Sequence, residues 1–193
     1  MADISALSNL QAGEPLDHDI YVDAKEPSAP PPKGRYLVRA PDKFTFDATA
    51  AGFLSAEVNP TIVEGPNQGY QLLYTRVSAK PFKRGAATVS QLGDYLRAAG
   101  SQARPRTPQE QADAVEATAG TLLSVDIDWE AYDKETKWTL KGMEKFPKLP
   151  SGGHDIWVTV PDPENPTQPM RGEDGEVRKI RARARVDRYV SVS

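Results

Sequence analysis

Basic residues recur at every second position near the end of the chain, between Glu176 and Val190. Alternate side chains of a strand point to opposite sides of a sheet. One face of the predicted strand therefore carries four cations: Lys179, Arg181, Arg183 and Arg185. The other face carries apolar residues: Ile180, Ala182, Ala184, Val186 and Val190. Side chains on the same face of a β-strand lie roughly 6.6 to 6.8 Å apart. This distance is close to the spacing of phosphates in an extended single strand of nucleic acid, so the pattern favours phosphate binding.

A second group of cations lies in the middle of the chain and is interleaved with aromatic residues. Its cations are Arg76, Lys80, Lys83, Arg84, Arg97, Arg104 and Arg106, and its aromatic residues are Tyr70, Tyr74, Phe82 and Tyr95. Basic grooves with aromatic faces are typical of proteins that bind single-stranded nucleic acid, because each base can stack on a ring. Phe82, in a basic loop, is the predicted stacking residue, and Trp138 is the next. Strand alternation puts Tyr74 on the same face as Leu72, which we expect to be core.

The residues that catalysis or metal binding would need are sparse. Without cysteine the chain has no disulfides, thiolate zinc sites or cysteine nucleophiles. Its two histidines, His18 and His154, build no Ser-His-Asp order, and the sequence contains neither a nucleophile elbow nor a phosphate-binding glycine loop. We therefore predict a protein without catalytic residues, bound metal or cofactor, and interpret the histidines as solvated loop residues.

Three carboxylates share one face of another predicted strand: Asp126, Asp128 and Glu130. Carboxylates on strands hold the metal ions of two-metal nucleases, so this row could bind a divalent metal. An acidic row also suits a basic row on a neighbouring strand, and Arg181, Arg183 and Arg185 could supply it. The second interpretation would leave those arginines less free to meet phosphates. The sequence leaves both open.

Charge is strongly segregated along the chain, although the net charge is only −3. Residues 1–32 carry six acidic residues and one basic, and residues 107–176 carry fifteen acidic and six basic. Residues 33–106 carry eleven basic residues and five acidic, and residues 177–193 carry six basic and one acidic. The two basic segments could share one face of the fold. They could equally neutralise the acidic segments.

The chain reads as a tail followed by one domain. Residues 1–33 are predicted to be a flexible, acidic and proline-rich N-terminal tail, and residues 34–193 the folded domain. Because residues 1–32 have no basic stretch followed by an apolar run, we expect no secretory signal, and no run of apolar residues is long enough for a membrane span. We expect a cytoplasmic protein that makes no membrane contact.

The pattern of elements predicts a mainly β domain with two helices, of the α+β class. Helices are expected from Thr88 or Ser90 to Gly100, and from a capping box at Thr107 to about Ala119. The clearest inner strand is Thr121 to Tyr132, with Thr136 to Gly142 returning as its hairpin partner. A hairpin is expected within Gly52–Val77. Strands, then helices, then strands is the order of a small Greek-key barrel with a helical insertion, such as the oligonucleotide-binding (OB) fold.

Three stretches together resemble a known family. The run GYQLLYTRVSAKPFKRGAATVSQLGDYLRAAG, the run GTLLSVDIDWEAYD and the closing RARARVDRYV resemble the single-stranded DNA-binding proteins of tailed phages, which have an OB-fold. The resemblance spans Gly34 to Val190. It implies cooperative, or at least sequence-tolerant, binding of single-stranded DNA through the basic loop (Lys80, Lys83 and Arg84) and the closing strand. Members often carry a zinc-binding cysteine pair before the final strand. Here Glu164 to Gly175 occupies that place, so no metal site is implied. Members also end in an acidic tail, whereas the acidic terminal segment of this chain is the N-terminal one.

The leading hypothesis is a non-enzymatic, OB-fold-like protein that protects single-stranded DNA in phage-like replication or recombination. Its partners would be single-stranded DNA and replication or recombination proteins, and self-association is left open. In a phage-infected cell it would work in the host cytoplasm. The binding residues are predicted to be Arg76, Lys80, Phe82, Lys83, Arg84, Trp138, Lys179, Arg181, Arg183 and Arg185. The alternatives are a virion or assembly protein whose charged faces pair with copies of itself, and a divalent-metal nuclease.

Overall fold

The computed structural model describes residues 29–190, which are mainly β with two helices, as the sequence predicts. The strands are β1 (Gly34–Arg39), β2 (Thr45–Ala48), β3 (Leu54–Glu57), β4 (Thr61–Ile62), β5 (Arg76–Ser78), β6 (Phe82–Arg84), β7 (Ala87–Val89), β8 (Leu122–Tyr132), β9 (Thr139–Lys141), β10 (Trp157–Thr159), β11 (Lys179–Arg181) and β12 (Arg183–Val190). The helices are α1 (Gln91–Ala98) and α2 (Pro108–Glu116). Of the predicted tail, residues 1–28 lie outside the described residues, as does the C-terminal end, 191–193.

Strand β8 is the centre of the main sheet, which has the order β12-β8-β1-β4, with β9 also paired to β8. All of these pairings are antiparallel. Alternating apolar residues of β8, among them Leu123, Val125 and Ile127, are buried on one face. The acidic residues alternate with them on the opposite face. The predicted strand, and its hairpin return through β9, are therefore confirmed.

The predicted closing strand, 176–190, is not one strand. Its first part, β11, pairs with β10 in a separate two-stranded sheet, while β12 pairs with β8. Between them Ala182 leaves both ladders, and its N–H donates to the carbonyl oxygen of Ile156 at 2.6 Å. The predicted basic row is therefore divided: Lys179 and Arg181 belong to one sheet, Arg183 and Arg185 to the other.

A β-bulge in β12 then changes which side chains face the core. Val186 lies opposite Ile127, but the next pair is Arg188 opposite Asp126, so Asp187 is the extra residue. A bulge shifts the alternation by one position. As a result Arg188 joins the charged face, and Tyr189 turns towards the core, where its ring meets the edge of Tyr95 at 5.3 Å between centroids. Strict alternation, which predicted Val190 on the core face, was wrong beyond this point.

Two smaller sheets complete the β structure. The order β2-β3-β5 forms one, so the two ends of the predicted Gly52–Val77 hairpin do pair. Between those ends, β4 leaves to pair with β1 of the main sheet. Strands β6 and β7 form a short hairpin where the sequence predicted a basic loop. In the part of the chain that the structure describes, the sheets do not close into a barrel.

Both helices begin where their capping residues predict. The Oγ of Ser90 accepts from the N–H of Gly93 at 3.1 Å, and α1 follows. Thr107 and Glu110 form a complete capping box at the start of α2, with proline at the first helical position. No helix within 29–190 is both long and apolar enough to span a membrane.

Two apolar clusters hold the domain together. The larger lies between the main sheet, the β2-β3-β5 sheet and the helices, and contains Tyr95, Val115 and three apolar residues of β8: Leu123, Val125 and Ile127. The smaller surrounds Trp129, whose indole packs against Phe146 at 6.0 Å between ring centroids. The indole N–H of Trp129 donates to the carbonyl oxygen of Pro31 at 2.7 Å. The end of the proline-rich segment is thus attached to the core rather than standing clear of it.

Candidate nucleic-acid interface

A groove of about 420 Å³ opens along β12 and is called the arginine groove here. One wall is β12 from Arg183 to Tyr189, and the other is formed by the segment 73–76, the β6–β7 hairpin and the start of α1. The residues that line it are Leu73, Tyr74, Thr75, Arg76, Phe82, Arg84, Gln91, Asp94, Glu130, Lys141, Arg183, Ala184, Arg185, Val186, Asp187, Arg188 and Tyr189. Two distant segments of the chain therefore contribute cations to one concave surface.

Half of the residues predicted from the sequence meet in this groove: Arg76, Phe82, Arg84, Arg183 and Arg185. The other half do not line it. Lys80 lines an apolar cavity on the far side of Phe82, and the Nζ of Lys83 donates to Thr88 at 2.8 Å. Trp138 is half-buried against the smaller core. Lys179 and Arg181 lie on β11, where Arg181 is paired in register with Trp157.

Cations outnumber carboxylates in the groove. Six lysine and arginine side chains line it, against the three carboxylates Asp94, Glu130 and Asp187. One of the six, Arg76, is paired with Asp47 and Glu57, which do not line the groove, at 3.5 and 3.4 Å. Among residues 29–190, neither Lys141 nor Arg188 forms an ion pair within 4.0 Å, although Arg188 lies opposite Asp126 in the ladder and its charge helps to lower the pKa of that carboxylate. The surface therefore keeps positive charge after its own ion pairs are counted.

Glu130 organises the arginines of β12. Its Oε1 accepts from Nη2 and Nε of Arg183, at 2.7 and 3.1 Å, and its Oε2 lies 3.7 Å from Nε of Arg185. Arg185 also donates to Asp187 at 3.0 Å. The alternative predicted from the sequence was that the acidic row of β8 pairs with the basic row. It holds for Arg183 and Arg185, which both lie against Glu130. It does not describe Arg181, which lies in the other sheet.

Tyr74 is a groove residue that the sequence analysis missed. Its side chain is 64% exposed, and the guanidinium carbon of Arg183 lies 5.2 Å from its ring centroid. Its backbone has φ of 59°, a left-handed conformation that few residues other than glycine adopt. This turn ends the extended segment, so β5 begins only at Arg76. The alternation that assigned Tyr74 to the core with Leu72 therefore does not hold.

Phe82 and Arg84, both on β6, also line the groove. The guanidinium carbon of Arg84 lies 5.4 Å from the Phe82 ring centroid, and the ring is 40% exposed. Nη2 of Arg84 also donates to Oδ2 of Asp94 at 2.6 Å, and Nη1 of Arg97 donates to Oδ1 at 3.2 Å. Two aromatic rings, each beside an arginine, thus line the groove.

Each carboxylate of the predicted metal row is engaged by a group of the protein. Oδ1 of Asp126 accepts from Arg35 at 2.9 Å, and this bond lowers the pKa of Asp126. Oδ1 of Asp128 accepts from the backbone N–H groups of Trp129 and Met143, at 2.8 and 3.0 Å. Glu130 pairs with Arg183. Over the described range, no group of three or more acidic or histidine side chains converges in a way that could hold a metal ion.

A separate buried ion pair stabilises the turn after β8. Oδ1 of Asp133, which is 2% exposed, accepts from Nη2 of Arg178 at 2.7 Å. Burial would raise the pKa of Asp133, but two hydrogen bonds from Thr136 and the bond from Arg178 outweigh it, so the pKa is lowered to about 2. Arg178 also donates to Glu135. This pair lies outside the arginine groove.

His154 does not line the groove. Nδ1 of His154 lies 3.2 Å from the carbonyl oxygen of Phe146, and its ring packs near Trp129. His18 lies outside the described residues.

Comparison of the chain with protein-family models, with curated proteins and with solved structures gives no match. What the groove can bind follows from its own chemistry.

Proposed function

We propose that the protein binds single-stranded DNA without strong sequence preference and protects it during phage-like replication or recombination. It would do so without catalysis, in the host cytoplasm, beside replication or recombination proteins. The observation that carries the proposal is the convergence of Arg76, Arg84, Arg183 and Arg185 with two exposed aromatic rings in one groove. The fold we propose is an open relative of the OB barrel, with α1 and α2 inserted between β7 and β8.

The charge of the groove suits a phosphate backbone. Lysine and arginine contacts to phosphates supply most of the sequence-independent affinity of nucleic-acid-binding proteins. Lys141 and Arg188 line the groove without an ion pair to any carboxylate of residues 29–190. The paired arginines also keep donors: a guanidinium has five N–H groups, and Arg183 uses one each from Nη2 and Nε for Glu130. A phosphate can therefore bind without first breaking that pair.

The two rings suit bases. An exposed ring with a guanidinium at one face leaves the other face for a base, and such stacking contributes roughly 1–3 kcal/mol per base. Tyr74 and Phe82 each have an arginine at about 5 Å from the ring centroid. Every base has a π face, so stacking of this kind discriminates little between sequences. This supports single strands, whose bases are accessible, over a duplex.

Fluorescence anisotropy with labelled oligo-dT, at low and at moderate salt, tests the proposal. We expect binding at low salt that weakens steeply as salt rises, because phosphate contacts release counterions. A duplex of equal length should bind more weakly. Absence of binding to oligo-dT at low salt would reject the proposal.

The assembly alternative is favoured by one observation. Trp157, on the two-stranded β10-β11 sheet, is 49% exposed, and aromatic residues are enriched in the contacts between proteins. On this alternative the protein forms large assemblies without DNA. Sedimentation velocity of the protein alone and with oligo-dT separates the two, because only the first proposal expects a DNA-dependent change.

A further inference from the structure

We infer that the bound strand continues from the arginine groove across α1 into a second cavity, where its phosphates bind Arg97 and Arg104. The inference rests on the proposed function and extends it, since it assigns a second subsite and the part of the ligand that the subsite takes. It is carried by the composition of the second cavity and by the ion pairs that connect the two.

The second cavity has a volume of about 390 Å³ and lies between α1 and the segment leading to α2; it is called the α1–α2 cavity here. Its lining residues are Ala79, Ser90, Leu92, Gly93, Leu96, Arg97, Ser101, Gln102, Ala103, Arg104, Pro105 and Gln111. Two of these are arginines, and none is acidic. The positive charge of this cavity is therefore not opposed by any carboxylate of its own lining.

Asp94 connects the α1–α2 cavity to the arginine groove. One carboxylate oxygen accepts from Arg84, which lines the groove, and the other accepts from Arg97, which lines the cavity, at 2.6 and 3.2 Å. The two openings thus flank the first turns of the same helix. A helix with its side chains is about 10–12 Å across, which a few nucleotides of an extended strand can cross.

The arginines of the α1–α2 cavity are accessible. The side chain of Arg97 is 65% exposed and uses Nη1 for Asp94. Arg104 is exposed, and no carboxylate oxygen of residues 29–190 lies within 4.0 Å of it. Gln102 and Gln111 add neutral hydrogen-bonding groups to the same lining. These are the donors that a phosphodiester accepts from.

The cavity lacks the second element of the groove, because its lining contains no aromatic residue. A base would find no ring to stack on there. The ligand of this subsite is therefore the sugar-phosphate backbone, with the bases turned outwards. A nucleotide bound in the arginine groove would use both backbone and base, whereas one bound here would use the backbone alone.

The test compares oligonucleotide lengths. Single OB-type domains cover about 4 to 16 nucleotides, so oligo-dT of about 6 and about 16 nucleotides brackets a short and a long path. For the wild type we expect the 16-mer to bind at least tenfold more tightly than the 6-mer. In R97A/R104A the 6-mer should bind as before, and the gain in affinity from the 6-mer to the 16-mer should largely disappear. The slope of log affinity against log salt concentration should fall in magnitude by about two for the 16-mer.

A 16-mer that is abasic over its outer ten positions sharpens the test, because the inference expects it to keep most of the gain. The matched control is K145A/K148A, which removes two cations that line neither opening. Thermal unfolding of each variant checks that the fold is retained.

Several results would overturn the inference. It fails if the wild type shows no gain with length, if R97A/R104A retains the gain, or if the variant weakens both oligonucleotides equally. It also fails if dTMP or inorganic phosphate binds the cavity while the gain survives in the variant, since the site would then serve a free ligand. If the wild type binds neither oligonucleotide, both the proposed function and this inference are wrong. If the wild type binds the 6-mer but gains no affinity with length, only this inference is wrong.

Discussion

Glu130 and Arg183 lie opposite each other on β8 and β12, and two guanidinium nitrogens of Arg183 donate to one carboxylate oxygen of Glu130. The pair holds the guanidinium beside the ring of Tyr74. It also places a negative charge on the floor of a basic groove. One carboxylate therefore orients the arginine and competes with any phosphate that approaches it.

Removing that charge should strengthen DNA binding. In E130Q the amide oxygen can still accept from Arg183, while the repulsion between Glu130 and a phosphate is removed. We expect affinity for oligo-dT to rise roughly fivefold at low salt, which corresponds to about 1 kcal/mol. Anisotropy titrations measure it. The control is E164Q, an exposed change away from the groove, and an unchanged or weaker affinity in E130Q would contradict the prediction.

Tyr74 should contribute through its ring and not through its hydroxyl. We expect Y74A to bind oligo-dT about 5- to 100-fold more weakly, as loss of one stacked base implies, and Y74F to bind like the wild type. An abasic oligonucleotide should not distinguish the three proteins. If Y74A weakens binding of the abasic strand as much as that of oligo-dT, the ring does not stack on a base.

Arg188 should act as a phosphate contact. The bulge puts it on the charged face, and no carboxylate oxygen of the described chain lies within 4.0 Å of it. We expect R188A to weaken oligo-dT and oligo-dA about equally and to lower the salt slope by about one. K145A, which removes a cation outside the groove, is the matched control. A loss confined to one base sequence would contradict this role.

Because the pKa of Asp133 is lowered in the folded chain, the free energy of unfolding should decrease as the solution becomes acidic. Its pKa is about 2 in the folded chain, below the ordinary value of about 3.9 expected when unfolded. Such a group stabilises fully above the unfolded pKa and loses this contribution as the pH falls towards the folded one. The free energy of unfolding should therefore drop from about pH 5 to pH 2.

The variant D133N isolates this effect, because it removes the charge and leaves Arg178 half-buried without it. We expect the free energy of unfolding to be about 3 kcal/mol lower at pH 7 and to vary less with pH below 5. Urea denaturation at pH 7, 5 and 3 measures both quantities. E173Q, at an exposed position, should follow the wild type. A D133N curve parallel to that of the wild type would show that Asp133 does not cause the pH dependence.

Local signals in the sequence predict local structure well here. Ser90 and Thr107 fix the starts of the helices because each side chain satisfies a backbone N–H within its own first turn. The alternation of β8 predicts its buried face because that strand is paired along both edges and stays regular. These features depend on residues close together in the chain.

The features that form the groove depend on residues far apart in the chain. The switch of sheets at Ala182 requires β10 to be in place, and the bulge at Asp187 appears only in the pairing with β8. Neither leaves a glycine or proline as a signal. The left-handed turn at Tyr74 is also unsignalled, since tyrosine rarely adopts it. The basic residues could thus be predicted, but not which of them share a surface.

The bond from Trp129 to Pro31 determines where the chain can be shortened. A fragment that begins at Gly34 would remove the only acceptor that the described chain offers this indole N–H, and leaving a buried donor unsatisfied costs about 1–3 kcal/mol. A fragment that begins at residue 29 would keep it. The fragment that begins at residue 29 should therefore melt several degrees higher than the one that begins at Gly34. Limited proteolysis that stops before residue 29 should yield the more stable of the two products.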